Sequence, residues 1–215
     1  MMDLREQVRV YTGDRCDLWP YVPCGTGAVL DVGCATGEVG AALKAQGRAR
    51  EVVGLELSPG AAAKAGHRLD RVIEGDVEAV EVPYPDGYFD LLLYADVLEH
   101  LRNPWALVVR HRRLLRPGGH VVASLPNIGH YCTVLMLLRQ QWRYQDLGIM
   151  DYTHLRFFTR PGVLDLFRRA GYAQVRLYRR GGEGPKQRLA RALTLGYSTD
   201  FFIPGFVCVA RAPGP

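Results

Sequence analysis

VLDVGCATGEVG, residues 29–40, decides the fold. The apolar run at 27–33 is short and ends in Asp31 and Gly33, which reads as a buried parallel strand. A loop of small residues, Gly33, Cys34, Ala35, Thr36 and Gly37, then opens a helix over 37–47. Glycines let the backbone come close to a ligand, and free N–H groups at a helix start bind polar or anionic groups. One glycine loop is weak evidence, so its surroundings have to carry the reading.

Outward from this loop, strands and helices alternate. EVVGLE (51–56) is a second strand, followed by a helix that Ser58 caps and Pro59 starts. RVIEGD (71–76) is a third strand, and YFDLLLYAD (88–96) a fourth, entered through the turn YPDG. A helix over 103–119 begins at the cap Asn103 and stops at Pro117, Gly118 and Gly119. HVVASLPN (120–127) is the fifth strand. Five such units predict an α/β fold with a parallel sheet, helices on both faces and right-handed crossovers.

The acids fall in order along this frame. Asp31 ends the first strand, Glu56 the second and Asp76 the third, and Asp96 follows the fourth. All lie at the carboxyl ends of parallel strands, where such folds bind ligands. An acid after the second strand is placed to accept hydrogen bonds from two ribose hydroxyls, and one after the third can meet an adenine amine. The G-x-G-x-x-G pattern of nicotinamide dehydrogenases is not matched, because the loop runs G-x-A-x-G.

In VLDVGCATG, VVGLELS, IEGDVE, FDLLLYADVLEHL and LLRPGGHVVASLPN, the chain resembles the class I S-adenosylmethionine (SAM)-dependent methyltransferases over roughly residues 28–127. The resemblance implies a Rossmann-like, seven-stranded mixed sheet with the last strand antiparallel. It implies SAM as cofactor and S-adenosylhomocysteine as product. Asp31, Gly33, Cys34, Ala35 and Gly37 would lie at the methionine end. Glu56 would hold the ribose, with Leu57 beside it; Asp76 and Val77 would flank the adenine, and Ala95 and Asp96 would line the pocket. Ala35 stands where the commonest form has glycine. Tyr11 and Arg15 belong to an N-terminal helix of the kind that closes over SAM in this family, and Arg15 is a candidate partner of the methionine carboxylate.

The second half carries a narrower resemblance. SLPNIGHY, DYTHLRFFTRPGVLDLFRRAGY and DFFIPGFVCVARAP look like a bacterial subgroup that includes relatives of the MetW proteins and enzymes encoded near glycosyltransferases. It leaves two functions open. One is methyl transfer to oxygen or nitrogen of a small or medium-sized acceptor, such as a sugar or natural-product intermediate. The other is a SAM-binding partner or regulatory subunit with no methylation of its own.

One domain is expected. It has an N-terminal helical cap at 1–27, a SAM-binding core at 28–126, a lid insertion at 127–158, and a C-terminal helix and strands at 159–215. Within the insertion, Val134, Leu135, Leu137 and Leu138 are expected to pack one helix face downward. Trp142 and Tyr144 fit either core or substrate. Thr159 and Pro161 punctuate the next helix, and Phe157 and Phe158 are expected to pin the lid to the sheet. His130 and His154 bracket the insertion, and with Asp151 they are the candidate catalytic residues; His154, oriented by Asp151, would reach the acceptor as base or anchor. His100 is expected to pack or hydrogen-bond near the cofactor.

Composition limits the alternatives. The 215 residues are 48% apolar and carry a net charge of +5, enough for a sizeable core and too mild a charge to argue for nucleic acid as a partner. The five cysteines form no C-x-x-C pair, so neither a zinc site nor a disulfide framework is indicated and a reducing, cytoplasmic setting is expected. The N-terminus lacks a signal-peptide core, and the longest apolar run, YCTVLMLL, is too short to span a bilayer. Either a monomer or a homodimer fits.

Overall fold

A computed structural model describes residues 15–181, 184 and 199–214. The core alternation follows the expected order: β1 (Thr26–Val32), α1 (Glu38–Ala45), β2 (Ala49–Glu56), α2 (Pro59–Ala65), β3 (Arg71–Glu74), β4 (Phe89–Ala95), α3 (Pro104–Arg112) and β5 (Leu115–Pro126). After α4 (Tyr131–Leu138) come α5 (Arg160–Arg169), β6 (Ala173–Arg180) and β7 (Gly205–Arg211). The seven strands form one sheet in the order β3-β2-β1-β4-β5-β7-β6. β7 runs antiparallel to both neighbours, and the other pairings are parallel.

Successive residues of β1 feed opposite faces. Val29 belongs to one apolar cluster with Val39 and Leu43 of α1, Ala65 of α2 and Leu18; Leu30 belongs to the other with Leu107 and Val108 of α3 and Val163, Leu166 and Phe167 of α5. Both faces are thus covered, which is why the central strands read as continuous apolar runs rather than alternating ones. Ser58 caps α2 by accepting from the Ala61 N–H, and Asn103 caps α3 by accepting from Ala106. Thr159 holds the N-cap position of α5, but its side chain makes no cap bond.

Three expectations are corrected. Helix α3 ends at Arg112, and the Arg-Pro-Gly-Gly run belongs to the irregular start of β5, where the register slips between Phe89 and Leu91. The described part of the N-terminal segment is a tight 3-10 turn, Cys16–Tyr21, rather than an α-helix; Tyr11 lies outside the described residues. In the 127–158 segment, Leu135, Leu137 and Leu138 face outward, at 42%, 49% and 74% exposure, and only Thr133 of α4 is buried. Helical spacing showed that these residues share a face but could not show which way it points. Phe158 is buried in the core, whereas Phe157 stays at the surface, edge-on to Trp142 at 5.4 Å.

Candidate active site

The carboxyl edge of the sheet gathers the cofactor candidates. Asp31, at the end of β1, is 1% exposed, and neither of its carboxyl oxygens has a hydrogen-bond partner among the described residues. Burial, then the charge of Glu56, pushes its pKa up to about 7. The loop after it bends sharply: Gly33, Ala35 and Gly37 all have positive φ, at 71°, 50° and 78°. At Gly33 a Cβ would stand 2.8 Å from Cγ2 of Val97, so a side chain there would collide as well as strain the backbone.

Glu56 ties this loop to the end of β2. Its carboxylate accepts the Ala35 N–H and the Ser58 N–H, each at 2.8 Å, and the residue is 4% exposed. The loop donors expected to be free are engaged by the protein: Gly33 and Cys34 donate to the Leu55 carbonyl, and Gly37 to that of Cys34. Their role is to shape the turn. Two of the four lone-pair positions of the Glu56 carboxylate remain for a ligand. Leu57 is exposed next to it, while Val77 is buried and Asp76 accepts the Glu78 N–H at 2.9 Å. Arg110 reaches from α3 to donate to the Val77 and Glu78 carbonyls, which fixes the loop after β3.

At the centre of the edge, Asp96 also has a positive φ, 54°, as does Arg15, 46°. Non-glycine residues seldom adopt this conformation, and strain of this kind collects at functional sites. Asp96 accepts from Arg15 Nη1 at 2.8 Å, and Nη1 of Arg180 donates to both of its oxygens, at 2.7 and 2.8 Å. Ser124 Oγ, at the end of β5, donates to Asp96 and accepts from the Asp96 N–H and from Arg15 Nη2. Arg15 and Arg180 are both bridged by Asp17 as well. Arg180, Ser124 and Asp17 were not singled out by the sequence.

The histidines separate. His130 caps α4, accepting from the Cys132 N–H at 3.4 Å, and does not form part of the group around His154. His154 is 7% exposed and lies edge-on to His100, with 4.8 Å between ring centroids. The Leu155 and Arg156 N–H groups donate to the Glu99 carbonyl, so the backbone of this stretch is sewn to the turn Leu98–His100. Asp151 accepts from the N–H and hydroxyl of Thr153, and Thr153 Oγ1 lies 3.0 Å from His100 Nδ1. Burial, and then the charge of Asp96, raises the Glu99 carboxyl well above its usual range. A separate cavity of about 420 Å³ beyond β5, lined by Asn127, Gly129, Arg160 and Phe201 among others, contains none of the cofactor candidates.

Comparison with known proteins agrees with this geometry. Residues 16–177 match a family described as "Methyltransferase domain". The chain is 31% identical over 149 residues to a ubiquinone biosynthesis O-methyltransferase of Azotobacter vinelandii, covering 66% of this chain and 62% of that protein. It is 33% identical over 99 residues to the 27-O-demethylrifamycin SV methyltransferase of Amycolatopsis mediterranei, covering 43% and 36%. It thus spans between about a third and two thirds of the length of these relatives. Among solved structures, a SAM-dependent methyltransferase from Archaeoglobus fulgidus superimposes with a TM-score of 0.64 at 17% identity, covering 89% of this chain and 88% of that one. A Haemonchus contortus phosphoethanolamine N-methyltransferase in complex with SAM gives 0.64 at 17% identity, covering 93% and 52%. The chain belongs to this methyltransferase-domain family, and its fold is that of the class I SAM-dependent methyltransferases.

Proposed function

We propose that the protein transfers the methyl group of SAM to an oxygen or nitrogen of a small or medium-sized acceptor. The observation that carries this reading is the Asp31 carboxyl, buried beside the glycine loop and without a hydrogen-bond partner among the described residues. A buried acid without a partner is costly unless a ligand supplies the donor. The ammonium at the methionine end of SAM is such a donor, so the residues present fit this cofactor. When bound, SAM supplies a methyl group on a positively charged sulfur, ready for in-line displacement.

The chain's own residues orient and desolvate. Glu56 holds the ribose with Leu57 beside it, Asp76 and Val77 flank the adenine, and Ala95 and Asp96 line the pocket beside the cofactor. Arg15 pairs with Asp96 and is the candidate partner of the methionine carboxylate. The segment 127–158 serves as a lid on the acceptor side, and His154 anchors the acceptor or takes its proton, with Asp151 holding the turn beneath it. Orientation of this kind is worth roughly 7–11 kcal/mol in a two-reactant step. The O-methyltransferase relatives favour oxygen as the accepting atom.

Calorimetry with SAM or S-adenosylhomocysteine tests the binding half, and absence of binding at about millimolar ligand would refute it. Glu56→Ala should weaken SAM binding by about 1.5–3 kcal/mol through loss of charge-assisted hydrogen bonds. Label transfer from SAM into fractionated extracts tests the chemistry. Tight SAM binding with no labelled acceptor would favour the partner-subunit alternative.

A further inference from the structure

Three side chains that the cofactor pocket leaves unused converge beside Asp96. Glu99 and His100 come from the turn Leu98–His100, and His154 from the stretch pinned onto it. One potential ligand atom from each lies within 4.8 Å of the other two. Glu99 is 1% exposed, and neither of its carboxyl oxygens has a hydrogen-bond partner among the described residues. The Leu98–His100 turn is no helix terminus of consequence, and packing gives no reason to bury an acid there. A buried carboxyl with no donor among the described residues is costly unless a partner is supplied, and a bound cation is one such partner.

The two histidines are set up in the same sense. His100 Nδ1 lies 3.3 Å from the Thr153 carbonyl oxygen, and His154 Nδ1 lies 3.1 Å from that of Ile149. An Nδ1–H donated to a carbonyl selects the tautomer whose lone pair is on Nε2. Metal-binding histidines are held in this way, with the second ring nitrogen bonded to a carbonyl or carboxylate behind it. Asp151 braces Thr153 from the other side, so the support extends one residue further.

Two imidazoles and a carboxylate suit zinc or iron(II) better than magnesium or calcium, which take oxygen donors. With bonds of about 2.1 Å, tetrahedral ligands stand about 3.4 Å apart, so atoms now within 4.8 Å of one another would close in by about 1.4 Å at most on binding. Three protein ligands leave a coordination position open. We propose that Glu99, His100 and His154 bind one divalent transition-metal ion, zinc or iron(II), whose open position takes an oxygen of the methyl acceptor. This rests on the methyl-transfer reading above for its purpose, though not for the binding itself.

An acceptor hydroxyl held there gives its proton to solvent at lower pH than it would unbound. The oxygen's electron pair forms the new bond to the methyl carbon, and the pair of the broken S–C bond returns to sulfur. The products are a methyl ether and a neutral thioether. In this arrangement His154 anchors the acceptor through the metal and does not itself take the proton.

The test uses the full chain, stripped with a chelator and titrated with cobalt(II) by visible absorption and with zinc by calorimetry. SAM binding is measured on the same preparation. We expect one cobalt per chain, displaced by zinc, with zinc affinity lowered by about 10–100-fold or more in His154→Ala and in Glu99→Gln while SAM affinity holds. If SAM-competent wild-type protein takes up neither metal stoichiometrically, the proposal is overturned, and this result does not depend on any variant folding. Retention of parental zinc affinity in both folded variants overturns it equally, because the metal would then sit on other histidines. Metal binding without SAM binding would support the site and count against the methyl-transfer reading.

Discussion

Asp31→Asn separates what the buried acid costs the fold from what it gives the ligand. The carboxyl is 1% exposed with no hydrogen-bond partner among the described residues, and burial, followed by Glu56, raises its pKa from 3.8 to about 7. A folded pKa above the unfolded one means that the native state binds more protons between about pH 4 and pH 7. Stability contributed by this group is therefore full below about pH 4 and is lost as pH rises through 7. Roughly three pKa units correspond to about 4 kcal/mol. Asparagine keeps the shape and removes the charge, but its amide stays unsatisfied at a cost of about 1–3 kcal/mol. The variant should thus be about 1–3 kcal/mol more stable than the parent near pH 8, with no advantage near pH 4. Urea melts across that range measure the difference between the two proteins, which cancels every other titrating group. The same variant should bind SAM about 10–150-fold more weakly, since a charged acceptor is worth about 1.5–3 kcal/mol. A gain in stability with a loss of binding is the expected trade at a functional position. If the variant is destabilised near pH 8, or keeps the parent's slope between about pH 4 and pH 7, Asp31 is already partnered and the pocket assignment fails.

Gly33→Ala should cost about 1–2 kcal/mol from the left-handed backbone alone, and the 2.8 Å approach to Val97 should displace the loop and weaken SAM binding; an unchanged melting temperature and affinity would contradict the geometry. Arg180→Ala and Asp96→Asn, made singly and together, should show coupling of about 1 kcal/mol in a double-mutant cycle, kept small by solvent at this partly exposed pair; strictly additive effects would mean that the ion pair is absent in solution. Thiol titration of the native protein should find Cys16, Cys24 and Cys132 reactive and Cys34 and Cys208 protected, because burial of the last two also raises their pKa. Rapid reaction of a fourth thiol without denaturant would place Cys34 or Cys208 at the surface.

The parts of the site legible in the sequence are those that local chain geometry fixes. Asp31, Gly33, Glu56, Asp76 and Asp96 lie at or just past strand ends, and in a parallel sheet every strand end of one sense lies on one edge, so their gathering follows from topology alone. What was not legible depends on where distant segments land. Arg180 reaches Asp96 from 84 residues away, and His154 reaches His100 only because Leu155 and Arg156 bind the Glu99 carbonyl. Nothing periodic marks such contacts. An arginine at a strand end looks like one more solvated charge until the partner is known, and the apolar face of α4 has a direction only once the sheet edge beneath it is built. The glutamate of VLEH gave the weakest signal of all, since an acid in a three-residue turn is ordinarily exposed, and only its burial without a partner makes it informative. The same reasoning orders the experiments. Strand-end acids can be substituted with confidence about their location, whereas the roles of Glu99, His100 and His154 stand or fall together on the docking of residues 151–156. A Thr153→Ala variant, which removes the hydroxyl between Asp151 and His100 and leaves all three candidate ligands in place, probes that docking directly. It should lower zinc affinity by less than loss of a ligand does, with SAM affinity unchanged, and a larger effect than that of His154→Ala would mean that the turn, not the histidine pair, is what the segment is built to hold.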